Sequence, residues 1–177
     1  MEKKIALVTF LVLSATVAFA QMGGGKPRPS PAEKATCDLG AGKTITTDYS
    51  SPRVKGRKIF GGLVPYGEVW RTGANEATTF VTTGEVEIGG KTVPAGSYTI
   101  FTVPDPNQWT LIINKKTGEW GIPYKYESDE LARIPMKVST VPSKVEDFTI
   151  AYDKAGTGCT MRLDWDMTSA SVDISAK

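Results

Sequence analysis

Polar and apolar residues alternate with a period of two along most of this chain, the pattern of strands that bury one face. It is cleanest near the C-terminus. In "DFTIAYD", Phe148, Ile150 and Tyr152 fall on one side and Thr149 and Ala151 on the other. In "CTMRLDWDM", Cys159, Met161, Leu163 and Trp165 alternate with Thr160, Arg162, Asp164 and Asp166. The linking "KAGTG" offers Gly156 and Gly158 for positive φ, which predicts an antiparallel hairpin. Upstream, Val86 and Ile88 lead into a Gly89-Gly90 turn, Pro94-Ala95-Gly96 breaks the chain, and Tyr98 and Ile100 to Val103 resume a strand that "QWTLIIN" joins across "PDPN". With Ile45 to Tyr49, Thr78 to Thr82 and Ile134 to Val138, the pattern predicts roughly nine or ten short strands, and no helical repeat beyond one turn around Glu127 to Ala132. The expected fold is all-β, a single antiparallel β-sandwich.

The N-terminus departs from this pattern. Lys3 and Lys4 precede an apolar run from Ile5 to Phe19, and Ala18-Phe19-Ala20 supplies a small-x-small cleavage site. Residues 1–20 therefore read as a secretory signal peptide, the run being shorter than the ~20 apolar residues of a spanning helix. No cysteine opens the mature chain, so no lipoprotein anchor is expected, and the protein reads as secreted or periplasmic with no membrane span. Residues 21–35, "QMGGGKPRPSPAEKA", read as a disordered Gly/Pro-rich tether, and residues 36–177 as one β-sandwich domain.

Charge adds little. The 21 Lys and Arg nearly balance 19 Asp and Glu, mixed in sign along the chain, so no nucleic-acid partner is expected. The one basic cluster, "RVKGRK" from Arg53 to Lys58, reads as a solvated turn, with an anion patch as the alternative. Two cysteines in an exported chain raise the prospect of a disulfide. Cys159 has the inward phase of its strand and Cys37 stands two residues before Leu39, so both face the core and a Cys37–Cys159 bridge is expected over two buried thiols.

There is no histidine. That removes Ser-His-Asp and Cys-His catalysis and imidazole metal sites, and the two cysteines are too far apart in sequence to build a thiolate centre. No cofactor, metal site or catalytic residue is expected. Carboxylate chemistry survives as an option: Asp164 and Asp166, two apart on one strand, would place their α-carbons about 6.5 to 7 Å apart on one face, within the span of paired glycosidase acids. Such a pair is also what a solvated strand face looks like. Glu127, Asp129 and Glu130 offer oxygen ligands for calcium but lack the spacing of a calcium loop, and read as an exposed acidic turn.

The densest chemistry lies in "VPYGEVWRTGANEATTF", Val64 to Phe80. Arg71 beside Thr72-Gly73-Ala74, with Asn75 and Glu76 close behind, can hold a carboxylate, a phosphate or a sugar hydroxyl. It can equally hold itself, through an Arg71–Glu76 ion pair across the turn. The string "YGEVWRTGANEAT", with "IGGKTVPAGSYTIFTVP" and "WTLIINKKTGEWGIPYKYESDELARIPMKV", resembles a family of exported bacterial proteins catalogued only as a domain of unknown function, over about Thr36 to Trp165. The resemblance implies a secreted or periplasmic β-rich domain with no assigned activity. Three function classes fit: a non-catalytic binding module whose candidate site joins Trp70, Arg71, Asn75, Glu76 and Trp120 around a small polar or carbohydrate ligand; a histidine-free carboxylate-dependent hydrolase acting on glycans; and an envelope protein-interaction module offering a sheet edge.

Overall fold

The computed structural model describes residues 28–177; the stretch read as a signal peptide, residues 1–20, and residues 21–27 of the stretch read as a tether lie outside the described residues. Among the described residues nine strands form one antiparallel sheet: β1 (Ala32–Gly40), β2 (Lys43–Ser50), β3 (Thr78–Thr82), β4 (Val86–Ile88), β5 (Lys91–Val93), β6 (Gly96–Val103), β7 (Gln108–Asn114), β8 (Glu130–Ala155) and β9 (Gly158–Ala176), in the spatial order β1-β2-β3-β6-β7-β8-β9-β4-β5. The helical turn expected near residue 127 is a 3-10 turn over Glu127–Asp129, and Glu130 already belongs to β8. β1 begins four residues ahead of the expected domain start, inside the stretch read as tether, because Ala32 to Ala35 pair in register with Ser50 to Thr47.

The pieces read as separate strands at 134–138 and 147–153 are one strand of 26 residues. Its hairpin with β9 turns at Gly156-Thr157, where Gly156 has φ +57° and Ala155 pairs with Gly158. The hairpin does not run straight. Its register breaks between Thr140 and Val145 and again between Val145 and Thr149, across Pro142, and opposite them Asp166 stands at φ +54°. The strands fold over there. Thr160 Oγ1 donates to Asp173 Oδ1 at 2.6 Å along the same strand, where a straight strand would separate the two by about 43 Å. A β-carbon on Gly158 would touch the Ile174 carbonyl oxygen. This fold-over makes the second layer of the sandwich out of the same sheet.

The second leg carries Phe148, Ile150, Met161, Leu163 and Trp165 onto Ile45, Phe80, Ile100, Leu111 and Ile134, all buried in one core. These are the positions that the period-two pattern puts inward, and burying each stabilises by about 1.5 to 3 kcal/mol. A disulfide from Cys37 of β1 to Cys159 of β9, with 6.6 Å between α-carbons, ties the two layers together. At the other end Tyr49 Oη accepts from Ile150 N at 3.1 Å, and a single bridge joins Arg53 to Asp147 without closing a barrel. A smaller cluster of Ala77, Phe101 and Ile112 lies on the opposite face under Tyr124 and Tyr126. No helix among the described residues is long and apolar enough to cross a membrane.

Candidate functional site

Trp70 pairs with Thr102 of β6, and Thr78 of β3 pairs with Ile100. Residues 71–77 are therefore a loop thrown out of a single line of the sheet. Three buried threonines pin its base. Thr78 Oγ1 donates to Thr72 O at 2.7 Å, Thr72 and Thr102 share a hydroxyl contact of 3.1 Å, and Thr78 N donates to Arg71 O at 3.3 Å. Gly73 passes so close to β2 that a β-carbon there would meet Ser50 O at 2.9 Å, while Ala74 N donates to the same carbonyl at 3.1 Å. Thr72 and Asn75 hold positive φ of 54° and 58°, a conformation that non-glycine residues keep only when surrounding bonds enforce it.

The loop sends its side chains in three directions. Trp70 turns inward: it stacks on Trp165 at 5.7 Å between centroids, meets Phe148 edge-on at 4.9 Å, and donates its indole N–H to Gly73 O at 3.0 Å. Asn75 and Glu76 reach the chain's N-terminal segment. Asn75 Nδ2 donates to Ser30 O at 3.1 Å, and Arg28 Nη1 gives Glu76 bonds of 2.9 and 2.7 Å, which hold that carboxyl below the usual carboxylate range. The Arg71–Glu76 ion pair weighed from spacing does not form. Arg71 instead lies over the Trp120 ring, 5.1 Å from its centroid, with one long bond of 3.4 Å to Trp120 O. Among the described residues no carboxylate comes within ion-pair distance of it, and burial pushes its guanidinium down from the ordinary value, only partly opposed by Glu76.

Arg71 and Trp70 form one wall of a cavity of about 340 Å³, completed by Ser30, Arg57, Leu63, Val64, Ile122 and Trp165. A neighbouring hollow of about 170 Å³ shares Leu63, Val64, Trp70 and Ile122. Ile122 and Trp120 come from the segment after β7. That segment approaches so tightly that a β-carbon on Gly121, at φ +91°, would meet Ala77 Cβ at 2.9 Å and Arg71 Cβ at 3.1 Å. Of the five expected ligand residues, Trp70 and Arg71 thus line the cavity, Trp120 orients Arg71 from behind, and Asn75 and Glu76 clasp the segment that supplies Ser30. Arg57 was legible only as part of "RVKGRK". Leu63 and Ile122 carried no signal in sequence, being apolar residues outside any strand period.

Of the other carboxylates singled out in the sequence, Asp164, Asp166 and Glu130 each have a cationic partner. Asp164 is bound by Arg162 and keeps one buried oxygen without a partner, while the bulge at Asp166 turns that residue to Lys144 at 3.8 Å. The two acids each have their own cation. Glu130 accepts two bonds from Arg133, which keep its carboxyl below the usual range, and a third of 2.6 Å from Tyr124 Oη. Among the described residues no group of three acidic, cysteine or histidine side chains could hold a metal ion. A larger hollow of about 440 Å³ beside Cys159 is faced by Glu87 and Asp173, already bound to Lys177 and Thr160.

The fold and site define an all-β, disulfide-linked domain with a cavity of about 340 Å³ beside Arg71. The family model described as protein of unknown function (DUF2911) matches residues 30–174, and the chain belongs to that family. No curated protein and no solved structure matches it.

Proposed function

We propose that the protein is an exported, non-catalytic binding module that holds a small ligand in the cavity beside Arg71. The observation that carries this reading is Arg71 itself: a partly buried guanidinium, steered by Trp120, on a cavity wall with no carboxylate paired to it among the described residues. A cation whose role is structural is ordinarily neutralised where it leaves water. The loop around it is pinned by buried threonines, so the site is held ready rather than assembled on binding. Export is supported by the Ala18-Phe19-Ala20 pattern and by a disulfide of the kind that persists in oxidising compartments. The hydrolase reading lacks a usable acid pair, since Asp164 and Asp166 are bound to separate cations.

The test is a thermal-shift screen of small acids, sugars and peptidoglycan fragments against the wild-type protein and Arg71→Ala. A compound that binds raises the wild-type melting temperature by mass action and leaves the variant's unchanged. Hits that stabilise both proteins equally would place the site elsewhere.

A further inference from the structure

We infer that the ligand is an amphipathic organic anion, its oxyanion head held by Arg71 and Arg57 and its apolar tail laid over Leu63 and Ile122. This deepens the binding-module reading and rests on it. Among the described residues, the only charged ones on the cavity beside Arg71 are those two arginines. Arg57 is fixed in place by the backbone of the preceding turn: Nε donates to Val54 O at 3.1 Å and Nη2 to Arg53 O at 2.5 Å, which leaves Nη1 without an acceptor among the described residues. Arg71 spends a single long bond on Trp120. Planar donors left free in this way fit a carboxylate or a phosphate. They suit a sugar less well. Recognition of hydroxyls needs acceptors as well as donors, yet among the described residues no Asp, Glu, Asn or Gln lines the cavity, the Ser30 hydroxyl is its one side-chain acceptor, and the Trp70 indole N–H is occupied by Gly73.

The tail follows from the second hollow. It shares its apolar wall with the first, and its one charged residue is Glu68, which repels a second anionic end. The groove is therefore polar at the arginine end and apolar between, a match to a molecule charged at one end only. Leu63 and Ile122 are 48% and 45% exposed, and neither contributes to a core cluster, so folding leaves their position unexplained.

Isothermal titration of the disulfide-intact protein with octanoate, octyl phosphate, acetate, inorganic phosphate, octanol and glucose tests this. Octanoate or octyl phosphate should bind at least about tenfold more tightly than acetate, inorganic phosphate or octanol, and lengthening the chain should strengthen binding by up to roughly fourfold per methylene. Whichever of the two long-chain anions is preferred tells a carboxylate head from a phosphate one. Arg71→Leu should abolish the preference for octanoate over octanol, and Arg57→Leu should weaken it if the first variant does not fold. Ile122→Ser should flatten the dependence on chain length. Acetate matching octanoate, or octanol matching it, would overturn the amphipathic anion. Glucose binding that Arg71→Ala removes would overturn the anion while leaving the binding module standing; binding of every probe indifferent to Arg71 would remove both.

Discussion

Two arginines, Arg162 on the second hairpin leg and Arg71 on the loop ahead of β3, face the same physical problem and receive opposite treatment. Arg162 on β9 lies between Asp153 and Asp164, whose carboxylates raise its affinity for the proton, and it stitches a strand face together. Arg71 lies against Trp120 with no carboxylate paired to it among the described residues, and burial lowers its proton affinity. A partly desolvated cation is unfavourable unless something compensates it. At Arg162 the chain supplies the compensation. At Arg71 it supplies an aromatic face and a cavity, and in the proposed function the compensating anion comes from outside. The contrast separates a cohesive end of the molecule from one that, in the proposed function, serves recognition.

The largest way to probe that division is at the cohesive end. Replacing Cys37 and Cys159 together by serine should lower stability by about 4 to 5 kcal/mol, since the bridge spans 122 residues of sequence. Urea unfolding measures the loss. Binding at Arg71 should survive in the fraction that remains folded, and loss of binding in a folded variant would join the two ends into one unit.

Next is Arg162→Ala, which strands the buried Asp164 carboxylate. A fully buried broken pair costs about 3 to 5 kcal/mol; because Arg162 is itself 36% exposed and its partner Asp153 stands in water, about 2 to 3 kcal/mol is expected. Chemical denaturation that shows no change would mean that Asp164 is hydrated in solution.

The Glu130–Arg133 pair gives a smaller effect with a pH signature. The carboxyl of Glu130 is held below its ordinary range, so its contribution is fully present above the unfolded carboxylate value near ~4.3 and is lost as the pH falls through the lower, folded value. Glu130→Gln should therefore be about 1 kcal/mol less stable than wild type at pH 7, and the gap should close under strongly acid conditions. Unfolding measured across acid pH checks this; a gap that widened there would reverse the sign.

Smallest in stability is Arg71→Ala, which loses the Trp120 contact and should cost under about 1 kcal/mol. Its effect on binding should be total. If urea unfolding instead showed a loss of several kcal/mol, the loop would be a structural latch and the contrast with Arg162 would collapse.

Much of this was legible from local pattern. The alternation around Phe148 to Tyr152 and Cys159 to Trp165 marks the inward faces correctly, and the inward phase of Cys159 points to the disulfide that the structure contains. The signature loop stood out because Arg71, Asn75 and Glu76 crowd into a few residues. Their roles did not stand out, because Glu76 chose Arg28, 48 residues away, over Arg71, five away. Spacing limits which pairs are within reach but does not say which of them meet.

The chain's own order of residues determined the all-β class, the inward and outward faces and the turns at Gly156 and Gly73, since these depend on steric rules that act between near neighbours. Tertiary structure alone decided that β8 and β9 fold over at Pro142 and Asp166 to become the second layer of their own sheet. It alone brought Arg57, Leu63, Arg71 and Ile122 around one cavity. The reason is that burial is collective. Arg57 is held by carbonyls of its own turn, but the packing of Trp70 on Trp165 and of Gly121 on Ala77 and Arg71 joins segments distant in sequence, contacts that no local pattern contains.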